Sequence, residues 1–254
     1  MRITGRAFRA VFLFIALIIG TYSVAHAQES FLLKRVYKAG EVDRYLMEMT
    51  SQMPSPQGGN SNMQMKTHMV MSSNTKSVDQ NGDATIEISF SDFTVSVNGN
   101  EMNPPAGMLP VVTVKVNPYG HVLSQKIEGG NPMMQSQQFQ NNQSMEFPHH
   151  AIKIGDSWKI NYTDPTKKTT VVGTITLVGQ DEQQGINTLK LKTIADVTTE
   201  AMSQPIKMHI DGTAYVDPSN GKLIKAVNDM TGMPGMPSGA RMVMTMTLMG
   251  KNEQ

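Results

Sequence analysis

The sequence predicts a mainly β protein: an antiparallel curved sheet or partial barrel, built from two related modules with one short helix between them. Three observations predict this fold. Apolar residues recur at alternate positions, turn residues separate the alternating runs, and short motifs occur twice in the same order. The 254 residues include no cysteine, which excludes disulfides, thiol nucleophiles and cysteine-ligated metals. An apolar core therefore has to hold the fold together.

The first element in chain order is a predicted signal peptide at residues 1–27. Basic residues precede an apolar run over residues 10–19, and the small residues Ala25 and Ala27 then supply a cleavage pattern. The apolar run is shorter than the ~20 residues that a membrane-spanning helix needs. We expect a bacterial chain that is exported to the periplasm or the extracellular space, with no transmembrane segment after cleavage.

The charges of the chain are balanced, with 22 basic and 21 acidic side chains. They are interspersed along the sequence. A nucleic-acid partner would require a basic stripe and an anionic membrane surface would require a polybasic cluster, and the sequence contains neither. We therefore expect no nucleic-acid partner.

The first β module is predicted at residues 28–130. From Ala84 to Phe90 apolar residues alternate with polar ones, and the phase slips at Ser91 and Asp92 before the alternation continues. A one-residue slip inside a strand predicts a β-bulge.

Residues 131–146, between the modules, are predicted to form a linker that contains the short helix. Asn131 is a good N-cap residue, and Pro132 suits the first helical position. The segment is also rich in Gln and Asn, so a linker without a helix is the alternative.

The second β module is predicted at residues 147–254, and its motifs repeat those of the first. The matching pairs are KAGEVDRY (38–45) with KIGDSWKI (153–160), SVDQNGDATIEI (77–88) with LVGQDEQQGINTLKL (177–191), and TVKVNPYGHVL (113–123) with TAYVDPSNGKLI (213–224). The shared order favours a duplication. The alternative is that these Gly-acid and Asx-Pro turns are ordinary hairpin chemistry.

The paired Lys-x-Gly-acid motifs, the IKIGDSWKI segment and the N-terminal signal resemble an uncharacterised family of secreted bacterial proteins with tandem β modules. This resemblance implies an architecture and no activity. The architecture also has a weaker, fold-level resemblance to the half-open barrels of periplasmic lipoprotein carriers, in which a curved sheet holds acyl chains. No signature motif of those carriers is present, so the second resemblance implies a fold alone.

The chain contains 22 methionines, and many occupy alternate positions in predicted strands. Residues i and i+2 of a strand share a face, so residues 63–71 (MQMKTHMVM) place their methionines opposite Gln64, Lys66 and His68. Because methionine is flexible and re-packs around different shapes, we predict that it fills the core or lines an apolar ligand site. The candidate ligand-binding residues are Met47, Met49, Met63, Met65, Met69, Met71, Met230, Met233 and Met236.

The last three candidates lie in a segment rich in Gly and Pro, MTGMPGM at residues 230–236. We expect this loop to form a mobile rim beside an apolar cleft. Such a rim would admit an acyl chain or an apolar segment of a partner protein.

A soft-metal site is the main alternative for the same residues, because thioether ligands select Cu(I). The candidate metal ligands in this alternative are Met63, Met65, His68, Met69 and Met71. Scavenging of oxidants by surface methionines is a further alternative.

No catalytic motif is present in the sequence. It lacks a nucleophile elbow, a zinc-hydrolase histidine motif, a P-loop and a dinucleotide fingerprint, so we expect neither enzymatic activity nor a cofactor. The favoured function is binding of a lipid or acyl chain, or of an apolar segment of an envelope partner. The alternatives are a periplasmic Cu(I)/Ag(I)-binding protein and a structural module without a ligand.

Overall fold

The computed structural model shows a protein made of β-strands. The residues that the structure describes are 29–54, 62–103, 109–130, 145–164, 169–201, 204–233, 236–237 and 239–250. These residues contain fourteen strands and no helix, which confirms the prediction of a mainly β, antiparallel fold. The predicted signal peptide and residues 131–144 of the predicted linker helix lie outside the described residues, whereas Met145 and Glu146 are described and non-helical.

Strands fall in both predicted modules. Those of the first are β1 (Ser30–Phe31), β2 (Val42–Pro54), β3 (Asn62–Val78), β4 (Ala84–Val97), β5 (Asn100–Met102), β6 (Val111–Val116) and β7 (Val122–Glu128). Those of the second are β8 (Ile152–Lys153), β9 (Ser157–Asp164), β10 (Thr169–Gln183), β11 (Ile186–Ala201), β12 (Gln204–Val216), β13 (Leu223–Thr231) and β14 (Arg241–Leu248).

Twelve of these strands form one antiparallel sheet in the order β7-β6-β4-β3-β2-β14-β13-β12-β11-β10-β9, with β5 paired to β4. Neighbouring strands are mostly consecutive in the chain, because each hairpin turn returns the chain beside itself. One exception is local, because β4 pairs with β6 and β5 lies between them in the chain. The long-range exception is the pairing of β14 with β2, which joins the two halves of the sheet. The end strands β7 and β9 do not pair with each other, so the sheet is not closed.

The β-bulge predicted at Ser91 and Asp92 is confirmed. The register between β3 and β4 shifts between His68 and Val70. Asp92 has a positive φ of 52° at this point. The extra residues keep Phe90 and Phe93 packed against one core cluster.

Two short segments run beside the hairpin turns at one end of the sheet and connect its two halves through hydrogen bonds. We call residues 33–36 the first lead-in segment and residues 145–148 the second. The Val36 amide donates to the carbonyl of Asn220 (2.8 Å), and the Phe147 amide donates to the carbonyl of Tyr119 (2.7 Å). Each lead-in segment therefore contacts a hairpin turn of the opposite half of the chain.

Glycine makes both contacts sterically feasible. Gly120 and Gly221 have positive φ angles of 89° and 68°. A Cβ at Gly120 would collide with the Met145 carbonyl, and one at Gly221 would collide with the Lys34 carbonyl. The two turns thus need glycine both for their backbone conformation and for the close passage of the lead-in segments.

The two Lys-x-Gly-acid motifs make the same set of backbone hydrogen bonds. Gly40 donates to the Thr75 carbonyl (2.8 Å), and the Thr75 amide donates to the Glu41 carbonyl (2.9 Å). In the second half, Gly155 donates to the Leu177 carbonyl (2.7 Å), and the Leu177 amide donates to the Asp156 carbonyl (2.9 Å). The strand register also shifts directly after Thr75 and directly after Leu177.

Candidate functional site

One face of the sheet is apolar across nine strands, from β9 through β14 and β2 to β4. Residues that pair directly across antiparallel strands point to the same side, so rows of side chains can be followed across the sheet. The row at the centre of the strands contains Trp158, Ile175, Thr193, Gly212, Asn228, Met244, Met49, Thr67 and Val95.

The flanking rows have the same character. One contains Ile160, Gly173, Ala195, Ile210, Met230, Met242, Ser51, Met65 and Val97. The other contains Leu177, Leu191, Ala214, Ala226, Met246, Met47 and Met69. None of the residues in these three rows is charged. We call the surface that they form the apolar face.

At the end of the apolar face beside the lead-in segments, the core consists of aliphatic side chains. We call this region the aliphatic end. Its fully buried members, each at most 1% exposed, are Leu33, Ile152, Ile175, Leu177, Leu189, Leu191 and Val216. Leu33 and Phe147 come from the lead-in segments, so these segments plug this end of the sheet. The Trp158 indole N–H, which donates to the Glu146 carbonyl (2.8 Å), fixes the second lead-in segment to β9.

Towards the other end of the strands, methionines make up most of the buried cluster. We call this region the methionine end. Its buried cluster contains Met49, Met69, Met208, Met233 and Met242 beside Val171, Ala195 and Val197. Half-buried methionines pack against it, namely Met47, Met230, Met236 and Met244. A flexible, polarizable surface is thus continuous over adjacent strands and the loop after β13.

The structure brings together six of the nine predicted ligand-binding residues in this one cluster. They are Met47, Met49, Met69, Met230, Met233 and Met236. The other three, Met63, Met65 and Met71, lie on the same face of β3, where they pair with residues of β2, but are not members of the cluster. In the loop predicted to form a mobile rim, Met233 is buried and Met236 is half-buried, and both pack against the methionine cluster.

His68, a predicted metal ligand, is separated from the methionines. It pairs with Glu48 and Thr94, is exposed, and points away from the apolar face. Among the described residues, no group of three or more His, Cys, Asp or Glu side chains could hold a metal ion. The soft ligand atoms that the methionine end itself offers are thioethers.

Several methionines lie directly opposite one another on neighbouring strands. These pairs are Met47 with Met69, Met47 with Met246, Met49 with Met244, Met53 with Met63, and Met230 with Met242. Directly opposed residues have Cβ atoms about 4.5–5.5 Å apart, which leaves two long side chains able to reach one common point.

A few uncharged polar groups interrupt the apolar face. Ser51 is 1% exposed, and its Oγ has no hydrogen-bond partner in the structure. The Asn228 amide lies over Gly212, where a Cβ would collide with its Oδ1. Ser51 could not be identified from the sequence, although it alternates with methionines along β2, because alternation does not reveal whether a hydroxyl has a hydrogen-bond partner.

A cluster of charged side chains lies beside the aliphatic end and joins the chain segments that meet there. Lys222 Nζ lies 2.6 Å from both Glu41 Oε1 and Asp43 Oδ1, and the Arg35 guanidinium lies 2.8 Å from Asp43 Oδ2. Burial raises the pKa of Glu41, but hydrogen bonding and attraction from Lys222, together with Arg35, outweigh it and leave that pKa below its usual range. The cluster therefore ties the first lead-in segment, β2 and the turn before β13 to one another.

The opposite face of the sheet, which we call the polar face, carries charged side chains and ion pairs between neighbouring strands, beside exposed apolar residues such as Val172 and Ile194. Arg241 Nε donates to Asp229 Oδ1 (2.8 Å), and Lys192 pairs with Asp211. The hydrogen bond from Arg241 lowers the pKa of the Asp229 carboxyl. The sheet thus has one face suited to solvent and one suited to apolar groups.

Comparisons with known proteins add little to this description. No family model and no curated protein matches the chain, so its resemblance to a family with tandem Lys-x-Gly-acid modules stays a prediction. One matching solved structure is the hypothetical lipoprotein YmcC from Escherichia coli (K12), with 14% identity and a TM-score of 0.28 over 85% of this chain and 89% of that chain. This TM-score is too low to carry an argument.

Within the described residues, no helix has both the length and the apolar character needed to cross a membrane.

Proposed function

We propose that this protein is an exported, non-enzymatic carrier that binds the apolar chain of a lipid against its apolar face. The observation that carries this proposal is the uncharged character of that face over nine strands, together with its division into a packed aliphatic end and a methionine end. Apolar surface removed from water contributes roughly 25 cal/mol per Å², so a long acyl chain in contact with such a face would be bound without any specific chemistry.

The methionine end is the proposed site of ligand entry. The lead-in segments occupy the aliphatic end, where the side chains are fully buried. At the methionine end, several side chains are only half-buried, and methionine can change rotamer with little loss of packing. A ligand would displace these side chains rather than a rigid core.

The unclosed sheet supports the same proposal. The edges β7 and β9 do not pair, whereas the lead-in segments link the sheet only at the aliphatic end. An open edge lets a long chain enter sideways, and the ligand does not have to thread through a closed barrel.

Native mass spectrometry of the protein purified from an exporting host tests the proposal. We expect a co-purified adduct of lipid mass that is lost on extraction with organic solvent. The variant Met49→Ser/Met69→Ser/Met242→Ser should lose the adduct, because three hydroxyls would make the methionine end polar. The matched control, Thr50→Ser on the opposite face of β2, should retain it. A bare protein mass in wild type, with no binding of added lipid, would contradict a carrier function and favour a structural module without a ligand.

A second candidate function, Cu(I) or Ag(I) binding, is favoured by the directly opposed methionine pairs. Thioethers that converge from adjacent strands are suitable ligands for these soft ions. In this second proposal His68 takes no part, because it lies on the polar face. The test is titration with Cu(I) under reducing conditions against a competing chelator. Stoichiometric binding that is lost in Met47→Leu/Met49→Leu/Met69→Leu and retained in His68→Ala would support it, and a failure to compete would exclude it.

The repeated hydrogen bonds support the finer proposal that the two halves arose by duplication. The Lys-x-Gly-acid motifs share their backbone bonds and the following register shift, and the two lead-in segments contact corresponding turns. Ordinary hairpin chemistry accounts for one such turn but not for this ordered set. A profile built from sequences similar to residues 28–130 that also detects residues 147–254 would support the duplication.

A further inference from the structure

Among the described residues of the apolar face, Ser51 is the one whose buried side-chain oxygen has no hydrogen-bond partner. It lies on the apolar face, in the row that also contains Met65 and Met242. Its side chain is almost fully buried, and its Oγ lacks a hydrogen-bond partner in the structure. A buried hydroxyl without a partner destabilises a folded protein, because the hydrogen bonds it made to water are lost without replacement.

The nearest positions to Ser51 on the apolar face, along its own strand and directly across from it, are methionines. Met49 and Met53 precede and follow it at i−2 and i+2 on β2, and Met65 and Met242 are its partners on the neighbouring strands. These four side chains are unbranched and flexible, so the group that covers the hydroxyl can re-pack. A ligand that displaces these side chains would reach a donor that has no partner in the folded protein.

The electrostatics of this place restrict the ligand. None of the residues in the three rows of the apolar face is charged, so a charged group brought there would lose its hydration without gaining a counter-charge. An ester or amide carbonyl, by contrast, would accept a hydrogen bond from the Ser51 hydroxyl and would satisfy both groups.

We infer that Ser51 is a specificity-determining residue that donates a hydrogen bond to an uncharged carbonyl of the bound lipid. This inference rests on the proposed carrier function and narrows it to a ligand class: acyl lipids with an ester or amide carbonyl buried at the methionine end. Free fatty acids in their ionised form are discriminated against, because their carboxylate would occupy an uncharged site.

Displacement of a fluorescent apolar probe, N-phenyl-1-naphthylamine, from the full exported chain tests this inference. The two competitors are monododecanoylglycerol, which is an uncharged ester, and dodecanoate at a pH well above the carboxyl pKa. We expect the ester to bind at least about tenfold more tightly, a difference of about 1.4 kcal/mol. In Ser51→Ala the ester should lose about that tenfold advantage, and dodecanoate should be unaffected.

A second measurement separates this role from a structural one. Removal of an unpaired buried hydroxyl should raise the urea midpoint of unfolding of Ser51→Ala, in the direction opposite to its loss of ester affinity. The control Thr50→Ala, on the polar face of the same strand, should leave ester affinity unchanged.

The outcomes separate the two proposals. If neither competitor displaces the probe, the carrier function itself fails. If both displace it equally, or if Ser51→Ala keeps the full preference for the ester, the carrier function stands and the assignment of Ser51 is wrong.

Discussion

The two ends of the apolar face both contain a buried core cluster, but different kinds of side chain fill them. At the aliphatic end, branched residues such as Leu177 and Leu191 are completely buried and are covered by the lead-in segments. At the methionine end, unbranched thioethers pack beside Val171, Ala195 and Val197, and several of the methionines remain half-buried. Branched side chains with few rotamers specify one packing arrangement, whereas methionine tolerates several.

This difference teaches how one continuous sheet can be both stable and adaptable. The aliphatic end, with its plug and its charged cluster, supplies the rigid part of the core. The methionine end supplies a surface whose shape can follow a ligand. Stability and binding should therefore respond to substitutions at opposite ends of the same strands.

The largest effect is expected for Leu177→Ala at the aliphatic end. Leu177 is fully buried, and removal of a leucine side chain from such a site costs about 2–5 kcal/mol of unfolding free energy. Urea denaturation measures it. Met244→Ala, at a half-buried position of the methionine end, should cost less than half as much. Equal losses would remove the proposed distinction between the two ends.

A smaller loss of unfolding free energy is expected for Lys222→Met, which removes the lysine from the charged cluster. The lysine contacts Glu41 and Asp43, whose side chains are 25% and 11% exposed. Charged hydrogen bonds of this kind are worth about 1.5–3 kcal/mol, and urea denaturation should show a loss in that range. Lys207→Met on an exposed position should change stability by no more than about 0.5 kcal/mol. A similar small change in Lys222→Met would show that the cluster does not fasten the lead-in segment.

The triple variant Met49→Leu/Met69→Leu/Met242→Leu should separate binding from stability. Exchange of methionine for leucine conserves volume, so each substitution should cost less than about 1.5 kcal/mol. Ligand binding should become selective for fewer chain lengths, because branched side chains re-pack less readily. Probe displacement by a series of acyl esters measures this. Leu177→Met/Leu191→Met is the reciprocal variant, and it should leave the range of bound lipids unchanged.

The smallest expected effect is on the pH dependence of stability, to which Glu41 beside the aliphatic end contributes. The folded protein holds the pKa of Glu41 below its usual range. Ionised Glu41 therefore stabilises the fold fully at pH values above that usual range, and this stabilisation is lost as the pH falls through the lowered pKa. Glu41→Gln should therefore reduce the drop in urea midpoint between neutral and strongly acidic pH. The exposed Glu101→Gln should not. If both variants behave like wild type, Glu41 contributes nothing to acid sensitivity.

Local features of the fold could be predicted from the sequence because they depend on neighbouring residues. Alternation identified the long strands, and the phase slip at Ser91 and Asp92 identified a real bulge. The pairing of β14 with β2 could not be predicted, since no local pattern records which distant strand completes a sheet. The sequence alignment of the proposed repeats pairs Ser77 with Leu177. The hydrogen bonds instead match Thr75 with Leu177, so the alignment in this region is displaced by two residues.

For the candidate site, too, the sequence predicted local features and not the packing between distant residues. Period-two spacing placed the methionines of β2 and β3 on one face and His68 on the other, as the structure shows. Spacing could not show that Met208 and Met242 would join the same cluster, because this depends on strand order. It also could not show that Met233 is buried or that the Ser51 hydroxyl lacks a partner, since both depend on three-dimensional packing.

The position of β14 has a consequence for how the molecule folds. This strand follows all the others in chain order, yet it lies between β13 and β2, in the interior of the sheet. Until it is in place, the edges of β2 and β13 stay unpaired, and edges of this kind invite association between chains. Contacts between residues so far apart in sequence also form slowly. A chain that emerges from its N-terminus onward therefore carries two half-sheets with unpaired edges until β14 pairs with β2.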